Sequence, residues 1–246
     1  MSSADHQMIY GVASSALQIE GAANLGGKVD SIWDRFCERE GVVTNGDTPQ
    51  VACDHYHRWE KDLDLLKDLG VDAYRLSISW PRIMTSAEGE VNVEGLDFYQ
   101  QIIDRLRFYN IKVFVTLYHW DLPQYLEEQG GWLNRETATA FAEYADVVSG
   151  YFGDQVSSYC TLNEPWCSAM LGYLHGVHAP GITDRKMALQ AAHHLLLAHG
   201  MAMPLLRANA PLASHGIVLN MSPYDAISTD DKDQFAASFA DAENNH

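Results

Sequence analysis

Apolar and polar positions alternate along the chain in two distinct patterns. Short runs of apolar and β-branched residues occur at residues 8–14 (MIYGVAS), 72–79 (DAYRLSIS), 112–118 (KVFVTLY), 156–162 (VSSYCTL) and 215–221 (HGIVLNM). Between them, apolar residues recur every three or four positions, as in Tyr56, Trp59, Leu63 and Leu66, in Leu96, Tyr99, Ile103 and Leu106, and in Phe141, Tyr144, Val148 and Tyr151. The first pattern predicts strands, and the second predicts one buried face on each of three helices. Asp54 and Asn134 stand where helix N-caps belong, and Gly70 stands where the first long helix must stop. A fourth helix is predicted over residues 184–208. It contains Pro204, and a proline costs about 3 kcal/mol inside a helix, so a kink or an early end is expected there.

Strand, helix and strand in alternation imply parallel pairing through right-handed crossovers. Strands that read as continuous apolar runs imply a sheet covered on both faces. The fold class expected is α/β, a (β/α)8 TIM barrel of which about the first five β/α units are present. A complete barrel has eight strands in roughly 250 residues. This chain of 246 residues yields five runs, because long polar loops at 20–53 and 163–183 consume the rest. No internal repeat, low-complexity stretch or linker interrupts the pattern, so residues 1–246 read as the N-terminal part of a single barrel domain. Five parallel strands leave two open edges and an apolar inner face. A C-terminal companion chain, or self-association through the open barrel, is the expected remedy.

Charge narrows the partners. Sixteen basic residues against 33 acidic ones give a formal net charge of −17, spread along the chain, which argues against nucleic acid and anionic membranes. No window of about 18 apolar residues exists. Residues 1–11 (MSSADHQMIYG) lack the basic and apolar regions of a leader, so a soluble, cytoplasmic protein is expected. The sequon Asn220-Met221-Ser222 is then unused. Cys37, Cys53, Cys160 and Cys167 show no CxxC spacing and read as reduced, structural thiols.

Polar and aromatic residues gather at the ends of the apolar runs. Gln18 follows the first run, and Arg75 lies within the second, which ends in Ser79-Trp80. His119-Trp120-Asp121 end the third, Asn163-Glu164 the fourth and Asn220 the fifth. In a parallel barrel these ends converge on the face that holds active sites. No glycine loop suited to phosphate occurs, and no metal-ligand spacing. His55 and His57 do not share a helix face; of His193 and His194 one should pack inward and the other point out. No cofactor and no metal are expected. Amide, imidazole, guanidinium and indole groups suit a polyhydroxylated ring, whose hydroxyls take planar hydrogen bonds and whose C–H face packs on tryptophan. Glu164, partly desolvated, would have a raised pKa and serve as a general acid. Alone, Glu164 could equally cap a helix, His119 could be a satisfied core histidine and Arg75 a structural ion-pair partner. Trp33 and Trp59 read as packing residues.

These residues resemble the glycoside hydrolases of family 1, the retaining β-glucosidases and their relatives. TLNEP (161–165) is similar to that family's acid/base motif, YRLSISWPRI (74–83) to its second strand and TLYHWDLPQYL (116–126) to its third. YGVASSALQIEGA (10–22) resembles its N-terminal signature, and APG (179–181) and HHLLLAHG (193–200) fit it too. The resemblance runs collinearly from residue 8 to the end. It implies that Glu164 is the acid/base and that Gln18, His119 and Asn163 bind the sugar. It further implies that Trp120 forms a wall of the sugar subsite, that Trp166 is a platform for the leaving group and that Arg75 supports the nucleophile. The substrate implied is a β-glucoside or a short β-linked oligosaccharide, with β-fucosyl or β-galactosyl tolerance and a role in cellulose degradation.

Two departures are small: Met8 and Leu17 replace residues the family signature usually has, and are expected to touch packing near Gln18. The third is larger. The family's nucleophile is a glutamate in a Thr-Glu-Asn-Gly-like motif on the seventh strand, and no such motif occurs in these 246 residues. The chain is therefore expected to be inactive alone. The alternatives are a carbohydrate-binding pseudoenzyme, one half of a two-chain split enzyme and, more remotely, a metal-dependent barrel hydrolase.

Overall fold

The structure is a computed structural model and describes residues 8–245; residues 1–7, on which much of the leader reading rests, lie outside it. Five strands form one parallel sheet in the order β1-β2-β3-β4-β5. They are β1 (Gly11–Ala13), β2 (Ala73–Ser77), β3 (Lys112–Tyr118), β4 (Ser158–Asn163) and β5 (Ser214–Val218). All five predicted runs hold a strand, and β3 matches its run residue for residue. Consecutive strands pair with their neighbours, Val12 opposite Tyr74, Arg75 opposite Phe114 and Thr116 opposite Cys160. The register shifts between Cys160 and Asn163, where β5 pairs with β4. Gly11 permits β1 to approach β2, since a Cβ there would lie 2.8 Å from the Ala73 carbonyl oxygen.

The helices are α1 (Ala16–Ile19), α2 (Ile32–Cys37), α3 (His55–Leu69), α4 (Trp80–Ile83), α5 (Val93–Phe108), α6 (Gln124–Glu128), α7 (Glu136–Phe152), α8 (Arg185–Asn209) and α9 (Asp231–Asn245). The three predicted amphipathic helices are α3, α5 and α7. Gly70 ends α3 in the left-handed conformation, as its position implied. Arg135, not Asn134, takes the N-cap position of α7, but Asn134 Oδ1, one residue earlier, accepts the Glu136 N–H at 3.1 Å and so satisfies an orphan donor there. Asp54 occupies the N-cap position of α3 but does not cap it: its φ is 56° and its carboxylate instead meets His57 Nδ1 at 2.6 Å.

The structure corrects four other expectations. Helix α8 does not end early: it runs through Pro204 to Asn209. Its buried stripe, Ala188, Ala191, Leu195, Ala198, Ala202 and Leu206, continues on both sides of the proline, and that packing outweighs one lost hydrogen bond. Tyr151 does not join the buried face of α7; it is exposed and donates to Asp97, while Phe152 turns inward. The segment 20–53 is not all loop, because Ser31 and Asp34 form a capping box that starts α2. Met8 is 69% exposed, so it does not supply the packing expected of it.

Both faces of the central strands are covered, unevenly. Tyr74, Leu76, Val113, Val115, Leu117 and Tyr159 are buried on one face, and Ala73, Ser77, Thr116, Tyr118 and Leu162 on the other. Arg75, Phe114 and Cys160, on that second face, are only half-buried. The core continues into an aromatic cluster in which Trp80 stacks on Tyr144 at 5.1 Å and Trp132 donates to the Tyr118 hydroxyl at 3.1 Å. The predicted packing role holds for Trp33 and Trp59, both set against this core. All four cysteines are free. His55 and His57 bond separate carboxylates, Asp62 and Asp54. His194 is buried against the Trp132 carbonyl while His193 faces out. No helix is long and apolar enough to cross a membrane, and no group of three metal-ligating side chains occurs among the described residues.

Candidate active site

The ends of β2, β3 and β4 are tied together by side chains. Arg75 from β2 donates through Nη2 to Asn163 Oδ1 at the end of β4, at 2.8 Å. Trp120, just past β3, donates its indole N–H to the Asn163 carbonyl at 3.0 Å. Asn163 is thus held from both sides, 2% exposed. Its amide nitrogen makes none of these bonds and remains available as a donor. Arg75 Nε is buried without a partner, so the same guanidinium has unused capacity for an acceptor.

Two of these residues hold backbone conformations that side-chain-bearing residues rarely adopt: Trp120 has a φ of 80° and Glu164 a φ of 49°. Such strain persists only where surrounding contacts over-determine it. Around Glu164 those contacts are visible. Its N–H donates to the Val218 carbonyl of β5 at 2.8 Å, and its own carbonyl accepts from Cys167 N at 2.9 Å and Ser168 N at 3.4 Å. Pro165 follows at the first helical position, where a missing N–H costs nothing. The chain then enters a π-helical turn, Cys167–Leu171. The run was expected to be loop; instead this turn fixes the direction in which the Glu164 side chain leaves the strand. The carboxylate is half-buried, and its Oε2 accepts from the Cys167 thiol at 3.4 Å.

His119 is 8% exposed, with Nδ1 buried and unpartnered. Burial, and secondarily the positive charge of Arg75, lower its pKa to about 4, so the ring is a neutral hydrogen-bonding group at neutral pH. Trp120 packs edge-on against His119 and lies 5.1 Å from the His178 ring, which in turn meets Trp33 at 5.2 Å. Asp121 ends the same turn, 1% exposed, and burial, only partly offset by the Ser79 hydroxyl beside it, raises its pKa to about 7. Trp166 is half-buried with an unpartnered indole N–H, and with Asn220 it lines a cavity of about 650 Å³ between α8, α9 and the segment after β5.

The structure therefore brings Arg75, His119, Trp120, Asn163 and Glu164 to one end of the sheet, with Trp166 beside them. Gln18 lies on α1, exposed, and its side chain joins none of these hydrogen bonds. Three neighbours escaped sequence reasoning. Asp121 was visible as the third residue of His-Trp-Asp, but nothing in the sequence says that its carboxylate is enclosed. Cys167 lies two residues past the TLNEP motif and reads as a packing thiol. His178 stands one residue before the Ala-Pro-Gly signature, and that adjacency was its signal. Together the groups offer neutral hydrogen-bonding partners, flat apolar walls and one accessible carboxylate: equipment for holding a polar ring and moving a proton.

Comparison with known proteins gives the chain its relatives. The family model for "Glycosyl hydrolase family 1" matches residues 3–245. Beta-glucosidase A of Thermotoga maritima is 48% identical over 238 residues, covering 97% of this chain and 53% of that protein. The bifunctional beta-D-glucosidase/beta-D-fucosidase of Bifidobacterium breve is 54% identical over 206 residues, covering 82% of this chain and 45% of its own length. Among solved structures, the family 1 β-glucosidase of Thermotoga maritima superposes with a TM-score of 0.95 at 47% identity, over 98% of this chain and 54% of that one. The chain thus spans about half the length of the curated relatives it matches, and its five-stranded parallel sheet corresponds to part of their TIM barrel. It belongs to glycosyl hydrolase family 1.

Proposed function

We propose that this chain carries the proton-transfer and sugar-holding part of a retaining β-glucosidase that acts on terminal β-D-glucosyl residues, with tolerance for β-fucosyl or β-galactosyl groups. The observation that carries the reading is Glu164, accessible at the end of β4 beside an Asn163 clamped by Arg75 and Trp120. In the reaction, the Glu164 carboxyl gives its proton to the glycosidic oxygen as the bond to the anomeric carbon breaks. A second carboxylate attacks that carbon from the opposite face and forms a glycosyl ester. Glu164, now ionised, takes a proton from water, and the hydroxide equivalent releases the sugar with retained configuration. Retaining pairs stand about 5–5.5 Å apart.

The Asn163 amide nitrogen is assigned to the 2-hydroxyl, where contacts strengthen in the transition state. Neutral His119 and Gln18 are assigned to other hydroxyls, Trp120 to the sugar face and Trp166 to the leaving group. Arg75 is assigned to the nucleophile, which its unpartnered Nε can meet. No Thr-Glu-Asn-Gly sequence lies within the 246 residues, so the nucleophile is assigned to a segment outside them, such as a companion chain pairing with the open strand edges. The four free thiols suit a reducing, cytoplasmic setting.

The test uses the purified 246-residue chain, its intact mass verified, with 4-nitrophenyl β-D-glucoside. The expected result is saturable binding by ligand-observed NMR without turnover. Robust turnover overturns the assignment of the nucleophile elsewhere, and absence of binding overturns the sugar site. Glu164→Gln should leave binding intact. Turnover that is restored when a C-terminal companion polypeptide is added, and lost again with Glu164→Gln, separates the half-enzyme from a pseudoenzyme that only binds.

A further inference from the structure

Glu164 is anchored by its main chain, but a carboxylate at the end of two methylenes needs a further contact to hold one direction. One candidate touches it. The Cys167 thiol lies 3.4 Å from Glu164 Oε2, and the same residue's N–H donates to the Glu164 carbonyl at 2.9 Å. The π-helical turn creates this double contact by placing Cys167 over the strand end that delivers the carboxylate. We propose that Cys167 is a positioning residue: its S–H donates to Glu164 Oε2 and fixes the carboxylate in the direction the strained backbone sets, while the carboxylate in turn holds the thiol's hydrogen.

The environment is consistent with both halves of this exchange. Cys167 is 8% exposed, and burial first, then the bond and charge of Glu164, push its pKa up to about 12. A thiol so placed stays a donor across the physiological range and resists oxidation, because the reactive species is the thiolate. Cys160, three residues before the end of β4, gives an internal control: it is also shielded, and Glu164 is not among the groups acting on it.

The value of this contact for catalysis rests on the hydrolase reading, but the contact itself does not, so the test reads the thiol and the carboxylate without turnover. Iodoacetamide labelling of the native chain is followed at each cysteine by peptide mass spectrometry. Glu164→Gln keeps the shape and removes the charge. It should accelerate labelling of Cys167 about threefold per pKa unit released, a tenfold gain in thiolate less a roughly threefold loss of nucleophilicity, with Cys160 and Cys53 unchanged. An unchanged rate at Cys167, or an equal acceleration at Cys160, overturns the proposal. In the reverse direction, carbon–carbon couplings of the Glu164 side chain should report one rotamer in the wild type and in Cys167→Ser, which keeps a donor. They should report averaging in the isosteric Cys167→Val. A single rotamer in the valine variant also overturns it.

Discussion

The central strands β2, β3 and β4 and the outer strands β1 and β5 start from similar apolar runs and end in different surroundings. On β3, Val113, Val115 and Leu117 are at most 1% exposed, whereas all three residues of β1 are exposed and β5 is mostly half-buried. The difference is one of neighbours. Each central strand has a hydrogen-bonded strand on both sides and long helices across one face, while β1 and β5 each turn a row of backbone donors and acceptors outward. An apolar run specifies that a strand forms; what lies against it is a property of the rest of the structure.

The largest effects test that contrast directly. Trp80→Ala empties a site that is 1% exposed and removes the ring stacked on Tyr144, so it should cost about 3–5 kcal/mol in urea denaturation. Val12→Ala on β1, where the side chain is 37% exposed, should stay within about 0.5 kcal/mol. A comparable cost at Val12 would mean that β1 is covered in solution, by a second copy or another chain, and the contrast between inner and outer strands would collapse.

The second effect asks how dry the end of a central strand is. Two residues apart, His119 and Asp121 are perturbed in opposite ways: the imidazole pKa falls to about 4 and the carboxyl pKa rises to about 7. Between roughly pH 4 and 6.5 the unfolded chain protonates His119 while the native chain does not, so this residue makes stability rise with pH. Between roughly pH 4 and 7 the native chain keeps the Asp121 proton that the unfolded chain has lost, so this residue makes stability fall with pH. The two slopes oppose each other in the wild type. Measured as differences from wild type in urea midpoints, Asp121→Asn should gain stability progressively as pH rises across that window, and His119→Gln should lose its relative advantage. Parallel pH profiles for the three proteins would show that water reaches both groups.

Sheet order and the gathering of most candidate residues at one sheet end were legible in the sequence for a local reason. Strand runs and helix periodicity are set within a few residues, and the strand-end residues Arg75, His119, Trp120, Asn163 and Glu164 follow from them by topology alone. What was not legible depends on distant partners. Asp121 is enclosed by segments from elsewhere in the chain, among them the region around Glu20 and Ser79. The main chain at Glu164 is held by β5 and by a π-helical turn, a local geometry that apolar periodicity does not signal. The continuation of α8 through Pro204 is decided by the stripe it buries, a tertiary gain that propensity does not register.

The smallest effect belongs to the outer region again, where α9 lies beyond β5. None of its residues is buried, and Phe235 and Phe239 remain 70% and 58% exposed. Its ties include the Arg185–Glu243 ion pair at 2.6 Å, between side chains 61% and 36% exposed, the contacts of Asn245 with Ser222 and those of Asp233 and Gln234 with Ser228. An ion pair this exposed is screened by salt and adds little to global stability. Glu243→Gln should therefore leave the urea midpoint where it was and act only locally, speeding hydrogen exchange of the α9 amides while those of α7 keep their protection. Raising the ionic strength of the wild type should reproduce the same selective loss. If α9 exchanged as slowly as α7 before and after the substitution, its apolar face would have to be covered in solution, and the outer region would be as closed as the centre.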